Sequence, residues 1–376
     1  YQHQSKLELL KGNLEKIGEA SSILSFQTSS SPSQKIELSD GCQNHKEGIQ
    51  KILEIFDQEK NNPCFADLIV HRVVHGGTKY RHAALLDLEV KQFIRDMIPL
   101  ARTHHPASLA CIEEISEHFP EILQSVVFDT SFHQTLPEYA WRYALPRKIS
   151  DQYAIRRYGF HGISHQSVVK QAASFLKTPV NKLNLITIHL GNGASISAIK
   201  KGICVDTTMG MTPLEGLVMG TRPGDLDPGI LTLLAREGWN QEALETMLNQ
   251  DSGMKGLCGT NDFREILQNK EEGNEEAEMA LELYCYRVRK TIGSFSTVIG
   301  PVDALVFTGG VGENVPWVRE RSVRAMEWMN IQLNPDMNDQ AEAPCAIHSK
   351  DSQTKILVLP SDEEWEMASQ AAELIL

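Results

Sequence analysis

The sequence lacks the features that mark membrane-spanning, secreted and nucleic-acid-binding proteins. No apolar run reaches the length of about 18 residues that crosses a bilayer, and the N-terminus from Tyr1 to Lys6 does not resemble a signal peptide. The 7 cysteines form no CxxC pair and no ladder with histidines, so their spacing encodes neither a zinc site nor a disulfide framework and favours reduced thiols in the cytoplasm. A net charge of -13 argues against nucleic acid or an anionic membrane as a partner.

Common nucleotide-binding and catalytic signatures are missing too. The chain contains no GxxxxGK[ST], GxGxxG, GxSxG or HExxH sequence and no EF-hand loop. The nearest approach is the glycine cluster at 309–312, which lacks a third glycine at the required distance. Any phosphate that this acidic protein binds must therefore be met by individual arginines, glycine turns or a metal ion.

A glycine turn between two β-branched runs is the strongest local signal that is present. The runs Leu185–Ile188 and Ala194–Ile199 flank Gly191-Asn192-Gly193, which predicts a β-hairpin. Glycine has no Cβ, so the backbone N–H groups of such a turn can approach an anion closely, with His189 and Ser195 beside it. Taken alone, the stretch is equally compatible with an ordinary surface hairpin.

The remaining pattern predicts an α/β protein. At 376 residues and 42.0 kDa the chain exceeds the size of one hydrophobic core, so we expect two domains. Periodicity predicts helices over residues 46–60, 84–100, 106–118, 229–237, 241–249, 274–298 and 316–329. A further helix is introduced by the segment 156–165 and runs to about Lys177. Buried strands are expected at 66–74, 124–130, 303–308 and 355–360, an exposed loop at 28–33 and a polar loop at 256–264.

Several glycine turns fall at predicted strand ends that are far apart in sequence. They lie at 76–77, 191–193 and 309–312. Two arginines and two acids accompany them: Arg72, Arg222, Asp129 and Glu363. Backbone cradles, cations and carboxylates are what phosphoryl transfer with Mg²⁺ requires. An isolated acid at a strand end or helix start is as often a cap, so the set rather than each member supports this interpretation.

A series of longer motifs then resembles the acetokinase family. The match runs in order from about residue 66 to the C-terminus, through HRVVHGG at 71–77, FDTSFHQT at 128–135, RYGFHG at 157–162, HLGNG at 189–193, PLEGLVMGTR at 213–222, DFR at 262–264 and FTGGVGEN at 307–314. The resemblance implies the actin/Hsp70/sugar kinase-like (ribonuclease H-like) fold, with two domains that each contain a mixed five-stranded sheet and close over a nucleotide. It also implies a cytoplasmic homodimer.

The same resemblance implies reversible phosphoryl transfer from MgATP to acetate, which gives acetyl phosphate and ADP. Arg72 and Arg222 would hold the carboxylate and the moving phosphoryl group, and His161 would stabilise the transition state. Asp129 and Glu363 would place Mg²⁺, for which Mn²⁺ is a possible substitute. A carboxylate nucleophile is already ionised at pH 7, so this chemistry needs positioning and charge neutralisation rather than a general base.

The resemblance also implies binding residues. The phosphates would be lined by His189, Asn192 and Gly193. The rest of the nucleotide site, mainly around the adenosine, would consist of Asp262, Phe263, Arg264, Gly310, Val311, Gly312 and Asn314. The acyl pocket would consist of Val74, Thr103, His104, Phe160 and Pro213. The implied domains are residues 1–133 with 364–376 on the acyl-substrate side, and residues 134–363 for the nucleotide.

Three departures from the family pattern affect these expectations. The family opens with a strand and an Asn-x-Gly-Ser-Ser-Ser loop that have no counterpart here, so the first domain either lacks them or the sequence omits residues of the protein. Thr103 replaces a leucine, which makes the acyl pocket more polar and puts the choice between acetate and propionate in question. Ile163 stands where a threonine is usual, and nothing in the sequence explains it.

Three other functions are compatible with parts of the pattern. A propionate or butyrate kinase of the same family would differ in acid preference. An actin- or Hsp70-like ATP-binding module would lack transfer to a small acid, although the paired arginines and His161 suit a carboxylate clamp better than water activation. A metallohydrolase has five histidines to draw on, without recognised ligand spacing: His71, His75, His104, His105 and His161.

Overall fold

The computed structural model describes residues 6–28, 31–58, 66–102 and 104–376. Its contacts divide the chain into two compact units. The first unit is Tyr1–Ser131 with Glu363–Leu376, and the second is Phe132–Asp362. The C-terminal helix therefore packs with the N-terminal part of the chain, and each unit is described separately below.

Strands and helices alternate along most of the chain. The strands are β1 Leu10–Glu15, β2 Ser22–Thr28, β3 Ser31–Leu38, β4 Leu68–Val73, β5 Ala84–Leu85, β6 Leu123–Phe128, β7 Leu185–Leu190, β8 Ala194–Lys200, β9 Ile203–Thr207, β10 Ala304–Thr308, β11 Cys345–Ala346 and β12 Lys355–Val358. The α-helices are α1 His45–Gln58, α2 Leu88–Asp96, α3 His105–His118, α4 Glu138–Trp141, α5 Arg147–Gln152, α6 Gly162–Phe175, α7 Pro228–Arg236, α8 Gln241–Gln250, α9 Gly253–Cys258, α10 Phe263–Glu271, α11 Glu275–Ile299, α12 Gly309–Asn314, α13 Pro316–Val323, α14 Pro335–Asp339 and α15 Glu363–Ala372. Among the described residues, no helix is long and apolar enough to cross a membrane.

The first unit is built on a small mixed sheet in the order β4-β6-β5. Strand β4 runs parallel to β6, with Val73 opposite Phe128 at their C-terminal ends. The apolar faces of α2 and α3 cover this sheet, and the core that they form consists of Val73, Val90, Ile94, Leu109, Ile112, Val126 and Phe128. The parallel pair places the residues that follow β4 and β6 at one edge of the sheet.

The second unit contains a larger mixed sheet in the order β11-β12-β10-β7-β8-β9. Strands β12, β10 and β7 are parallel, and β8 and β9 extend the sheet as an antiparallel meander. Every residue of β10 is buried, as a central strand covered on both faces requires. Helix α6 packs on one face through Val168, Val169 and Ala172. The predicted hairpin at 185–199 is confirmed as β7 and β8.

The observed sheets differ in strand number from the five-stranded sheets that were expected in each domain. In the second unit the two-residue strand β11 adds an edge to five longer strands. In the described part of the first unit the sheet has three strands, because β1, β2 and β3 pair with one another as a separate antiparallel meander. In this meander β2 is hydrogen-bonded on both edges, to β1 and to β3, without β4.

Most predicted helices and strands are confirmed, with local corrections. The stretch predicted as an exposed loop at 28–33 is wrong in part, because β2 ends at Thr28 and β3 begins at Ser31, while residues 29–30 lie outside the described residues. The helix predicted from residue 84 begins at Leu88, because Ala84 and Leu85 pair with β6 and the Asp87 side chain caps the helix by accepting from the Val90 N–H. The expected polar loop at 256–264 contains the end of α9 and the start of α10.

Candidate active site

In the first unit, Arg72 lies on β4 between two carboxylates. Its Nε donates to Oδ1 of Asp129 at 3.0 Å and its Nη2 to Oδ2 at 2.8 Å, which is the bidentate geometry of a strong ion pair. Its Nη1 lies 3.4 Å from Oε2 of Glu363. The nearby Asp129 charge raises the pKa of Arg72 above its ordinary value. Three residues that the resemblance implied at distant points of the sequence are therefore in one cluster.

The fold explains why this cluster forms. Asp129 directly follows β6, and its backbone N–H donates to the carbonyl of Val73 at 3.0 Å, which continues the parallel ladder by one residue. Glu363 is the first residue of α15, a helix that packs against β4 and β6. Asp129 is 1% exposed, so burial next to Arg72 makes the ion pair stronger than a surface pair.

The predicted acyl-pocket residues divide between the two units. Val74 follows β4 and His104 precedes α3 in the first unit, whereas Phe160 and Pro213 belong to the second unit. Thr103 lies outside the described residues. Phe160 is buried and Val74 and Pro213 are half-buried. The shared pocket that the sequence predicts for them stays a prediction.

In the second unit, His161 sits at the N-terminus of α6 in a left-handed backbone conformation, with φ of 56°. A non-glycine residue in this region is strained, and such strain is often found at functional sites. Its Nδ1 shares a hydrogen bond of 2.9 Å with Oγ of Ser195 on β8. The same hydroxyl lies 2.8 Å from Nε2 of His165, and Nδ1 of His165 lies 2.7 Å from Oγ1 of Thr187. A chain of buried polar groups thus supports the position of His161.

A second buried histidine holds the residue before His161. Nε2 of His133 lies 2.9 Å from the carbonyl oxygen of Phe160, and its Nδ1 lies 3.3 Å from Sγ of Cys204. A carbonyl oxygen only accepts, so the Nε2–H donates to Phe160 and Nδ1 of the neutral ring is an acceptor beside the Cys204 thiol, whose pKa burial raises. Burial lowers the pKa of His133 to about 4. These contacts fix the backbone of Phe160 directly before the strained residue.

His189, Asn192 and Gly193 lie at and beside the hairpin turn. The rings of His161 and His189 are 4.5 Å apart, and Nδ1 of His189 lies 2.7 Å from Oγ of Ser164 on α6. A Cβ on Gly193 would lie 3.0 Å from Cε1 and Nε2 of His161, so the absence of a side chain permits this close approach. The turn predicted to face an anion is therefore directly next to the predicted transition-state histidine.

Arg222 belongs to the loop between β9 and α7. Its Nη1 donates to the carbonyl oxygen of Pro213 at 3.0 Å, and burial lowers its pKa. The start of the same loop is anchored by Glu215, which accepts from Nη2 of Arg157 at 2.7 Å and from the hydroxyl of Tyr143. This anchoring of the loop explains how a glycine- and proline-rich segment can hold an arginine in place.

A pocket of about 640 Å³ lies on the second unit. Its lining comes from the hairpin turn, from the start of α10 and from α12, and consists of Gly191, Asn192, Asn261, Asp262, Phe263, Arg264, Gly310, Val311, Asn314 and Val315. Seven of these ten residues were predicted to bind nucleotide. Gly312, also predicted, is buried within α12. The size is within the range of small-molecule sites.

Two contacts set the shape of this pocket. Asp262 caps α10 by accepting from the Arg264 N–H at 2.9 Å, and it pairs with the Arg264 side chain at 2.6 Å. The guanidinium hydrogen bonds of Arg264 lower the pKa of Asp262 to about 2. Phe263 is 6% exposed and packs edge-to-face on Tyr284 of α11, at 5.0 Å between ring centroids.

The turn from β10 into α12 falls at the predicted glycine cluster and depends in addition on two residues that the sequence did not single out, Glu313 and Arg319. Gly309 has φ of +78°, which a side chain would disfavour. Glu313 accepts from the Gly309 N–H at 2.9 Å and from the Ser361 N–H at 3.0 Å. Arg319 is fully buried and donates to the carbonyls of Gly312 and Glu313 at 3.0 and 2.7 Å. A cation at these C-terminal carbonyls is favourable.

The described residues contain no group of three or more histidines, cysteines and acids that could hold a metal ion. This finding gives no support to the metallohydrolase alternative. The predicted magnesium residues are two carboxylates rather than three ligands, and both lie at Arg72. Mg²⁺ commonly takes one or two carboxylates and completes its shell with phosphate and water, so the donor set fits this ion.

Comparisons with known proteins identify the family of this chain. Residues 1–369 match the Acetokinase family. An acetate kinase of Sulfurovum sp. is 46% identical over 369 residues, which cover 96% of this chain and 92% of the relative. The crystal structure of Porphyromonas gingivalis acetate kinase superposes with a TM-score of 0.90 at 39% identity, covering 98% of this chain and 94% of that chain. A propionate kinase from Francisella tularensis gives a TM-score of 0.91 at 36% identity, covering 99% and 94%.

The fold and these similarities define a kinase with the actin/Hsp70/sugar kinase-like fold. Within that class, the chain belongs to the Acetokinase family.

Proposed function

We propose that this protein catalyses reversible transfer of the γ-phosphoryl group of MgATP to acetate, giving acetyl phosphate and ADP. Membership of the Acetokinase family and relatives named acetate kinase support this activity. The structural observation that carries most weight is the pairing of Arg72 with Asp129 and Glu363, because it brings together a guanidinium, which suits phosphate, and two carboxylates, which suit Mg²⁺.

The reaction needs no proton transfer to or from acetate. A carboxylate oxygen forms a bond to the γ-phosphorus, the bond from that phosphorus to the β,γ-bridging oxygen breaks, and ADP leaves with the bonding electron pair. Acetate is ionised well above its pKa at pH 7, so the protein has to hold the reactants in line and neutralise charge. We assign this work to Arg72 and Arg222, with His161 donating a hydrogen bond to the phosphoryl group.

The pocket on the second unit is assigned to the nucleotide. Its 640 Å³ accommodates a nucleoside, with Phe263 and Val311 as apolar walls and Asp262 and Asn314 as polar groups. His189, Asn192 and Gly193 are assigned to the phosphates, since a glycine turn offers backbone N–H donors at close range. The second unit is accordingly the proposed nucleotide-binding domain and the first unit the proposed acyl-substrate domain.

Asp129 and Glu363 are the residues that would hold Mg²⁺, with Mn²⁺ as a possible substitute. When bound together with ATP, the ion neutralises charge on the phosphate oxygens. Arg72 keeps both carboxylates in one place, and the burial of Asp129 limits its rotation. A cytoplasmic homodimer is part of the same proposal. The family resemblance supports the homodimer, and cysteines without CxxC or metal-ligand spacing support a reducing compartment.

Propionate or butyrate is the alternative acid. The similarity to a propionate kinase structure at 36% identity and the threonine at position 103 are the observations that favour it. Threonine is smaller than leucine, so the predicted pocket has more room for an additional methylene. Comparison of kcat/KM for acetate, propionate and butyrate decides between the acids.

Trapping of acyl phosphate with hydroxylamine tests the proposed reaction. The full chain is incubated with MgATP, acetate and hydroxylamine, and the hydroxamate is measured as its ferric complex. We expect hydroxamate that depends on enzyme, ATP and acetate, with ADP formed in equal amount. ATP hydrolysis without hydroxamate from any of the three acids would identify a non-transferring ATP-binding module and contradict the proposal.

A further inference from the structure

Two asparagine side chains join the hairpin turn to the segment before α10. Nδ2 of Asn261 donates to Oδ1 of Asn192 at 2.9 Å, and both residues line the 640 Å³ pocket. The hairpin turn does not need this bond for closure, because the Gly191 N–H already donates to the carbonyl of Gly193 at 2.9 Å. The bond instead fixes the orientation of one amide.

Oδ1 of Asn192 has two neighbours. It accepts from Asn261, and it also lies against Gly220, because a Cβ added to Gly220 would be 2.0 Å from this oxygen. The backbone N–H of Gly220 donates to the carbonyl of Asn192 at 2.9 Å, which keeps the two residues together. With its oxygen turned toward Gly220 and Asn261, the amide turns its NH₂ group away from them. Among the described residues this NH₂ group makes no hydrogen bond to protein.

An amide presents opposite chemistry on its two ends. Its NH₂ group donates two hydrogen bonds and its oxygen only accepts. Phosphate oxygens only accept, so they are attracted by the NH₂ group and repelled by the carbonyl oxygen. The orientation of the Asn192 amide therefore decides whether this residue helps or hinders the binding of a phosphate.

We infer that Asn261 is a positioning residue for the nucleotide phosphates: it holds the Asn192 amide with its NH₂ group presented to them. The inference rests on the proposed function, which places a nucleotide in this pocket. Asn261 acts through Asn192 and need not touch the phosphate itself. Adenosine, which has no phosphate, does not depend on this contact.

A double-mutant cycle tests the inference. Asn261→Ala removes the donor, and Asn261→Leu does so at similar size. Each should raise the KM for ATP three- to tenfold, the range of one hydrogen bond, while kcat changes less than twofold. Asn192→Ala should raise the KM by at least as much. In the Asn192→Ala background, Asn261→Ala should have no further effect, because two residues that act through one contact are not additive.

Binding of adenosine, measured by calorimetry, is the control for a merely structural effect and should stay within twofold in every variant. Asn13→Ala removes an exposed amide hydrogen bond to Glu15 in the first unit and should leave both ligands unaffected. Two outcomes overturn the inference and leave the proposed function standing. One is that the fold-increases in the KM for ATP caused by Asn261→Ala and Asn192→Ala multiply in the double variant. The other is that these variants lose affinity for adenosine by the same factor as for ATP. A wild-type protein that binds no ATP overturns both.

Discussion

Arg72 donates two hydrogen bonds to Asp129, from Nε to Oδ1 at 3.0 Å and from Nη2 to Oδ2 at 2.8 Å. The two residues are 57 positions apart in sequence and lie at the C-terminal ends of the neighbouring parallel strands β4 and β6. This geometry fixes the plane of the guanidinium, while 42% of the Arg72 side chain stays exposed. An arginine whose guanidinium is fixed in orientation and still accessible is suited to bind an anion.

Arg72→Ala should lower kcat for acetyl phosphate formation by a factor on the order of 10³, as for other arginines that stabilise phosphoryl transfer. Arg72→Lys should restore little of the lost kcat, because an ammonium group cannot make the bidentate hydrogen bonds to Asp129. Steady-state kinetics provide the measurement. Arg95→Ala is the matched control, since it removes an exposed pair with Glu113 and should leave kcat unchanged. An Arg72→Ala variant that retains more than a tenth of the wild-type kcat would refute the assignment.

Gly310→Ala should impair nucleotide binding without destabilising the protein. A Cβ at Gly310 meets no protein atom within 4 Å, and the residue lines the pocket, so the methyl group would occupy space assigned to the nucleotide. Alanine also favours helix by about 1 kcal/mol over glycine. We expect a higher KM for ATP with an unchanged or slightly raised Tm.

Gly293→Ala is the matched control for this prediction. Gly293 lies within α11, and a Cβ there also meets nothing within 4 Å, so the substitution should affect Tm similarly and leave the KM for ATP unaltered. Equal KM values for the two variants would argue against a nucleotide beside Gly310.

The buried His133 should make the protein sensitive to acid. Burial lowers its pKa to about 4, whereas the unfolded side chain has a pKa of about 6.5. The unfolded chain therefore takes up a proton first, so stability is fully present above about pH 6.5 and is lost as the pH falls toward 4. At about 1.4 kcal/mol per tenfold change, this group alone lowers the free energy of unfolding on the order of 3 kcal/mol by pH 4.

Urea unfolding followed as a function of pH checks this expectation. His133→Gln keeps a side-chain donor near the Phe160 carbonyl and should show a shallower decline of stability between pH 6.5 and 4. His82→Gln, at an exposed position, should keep the wild-type slope. Parallel acid curves for the wild type and His133→Gln would show that His133 does not titrate in this way.

Thr103→Leu should narrow the acid preference. The added bulk and the loss of a hydroxyl make the predicted pocket smaller and more apolar, so propionate should lose kcat/KM relative to acetate by a factor of about ten or more, the effect of one methylene. The ratio of kcat/KM for the two acids is the measurement. An unchanged ratio would show that residue 103 does not border the acyl group.

Local patterns predicted much of the fold. The hairpin of β7 and β8 follows from two β-branched runs and a glycine turn, and both strands and turn are found where expected. Ala84 and Leu85 were misassigned to a helix because their strand conformation comes from pairing with β6, which is about 40 residues away and leaves no local trace.

Long-range polar contacts were the main omission. His165 and Ser195 support His161, yet they are 30 residues apart, and the sequence placed Ser195 beside the predicted turn without linking it to either histidine. A single buried histidine gives no signal in one sequence, because most such residues are structural. Glu313 and Arg319 were missed because each acts through hydrogen bonds to backbone groups, which leave no trace in the local sequence. The family resemblance implied Arg72, Asp129 and Glu363 as site residues, and the structure adds that Arg72 contacts both acids.

The most direct test of the proposed activity is ³¹P NMR of the full chain with MgATP and acetate. We expect the γ-phosphate signal of ATP to decrease while acetyl phosphate and ADP appear in a one-to-one ratio, and acetyl phosphate with MgADP to regenerate ATP. Formation of ADP and inorganic phosphate at the same rate with and without acetate, and no acetyl phosphate signal, would contradict it.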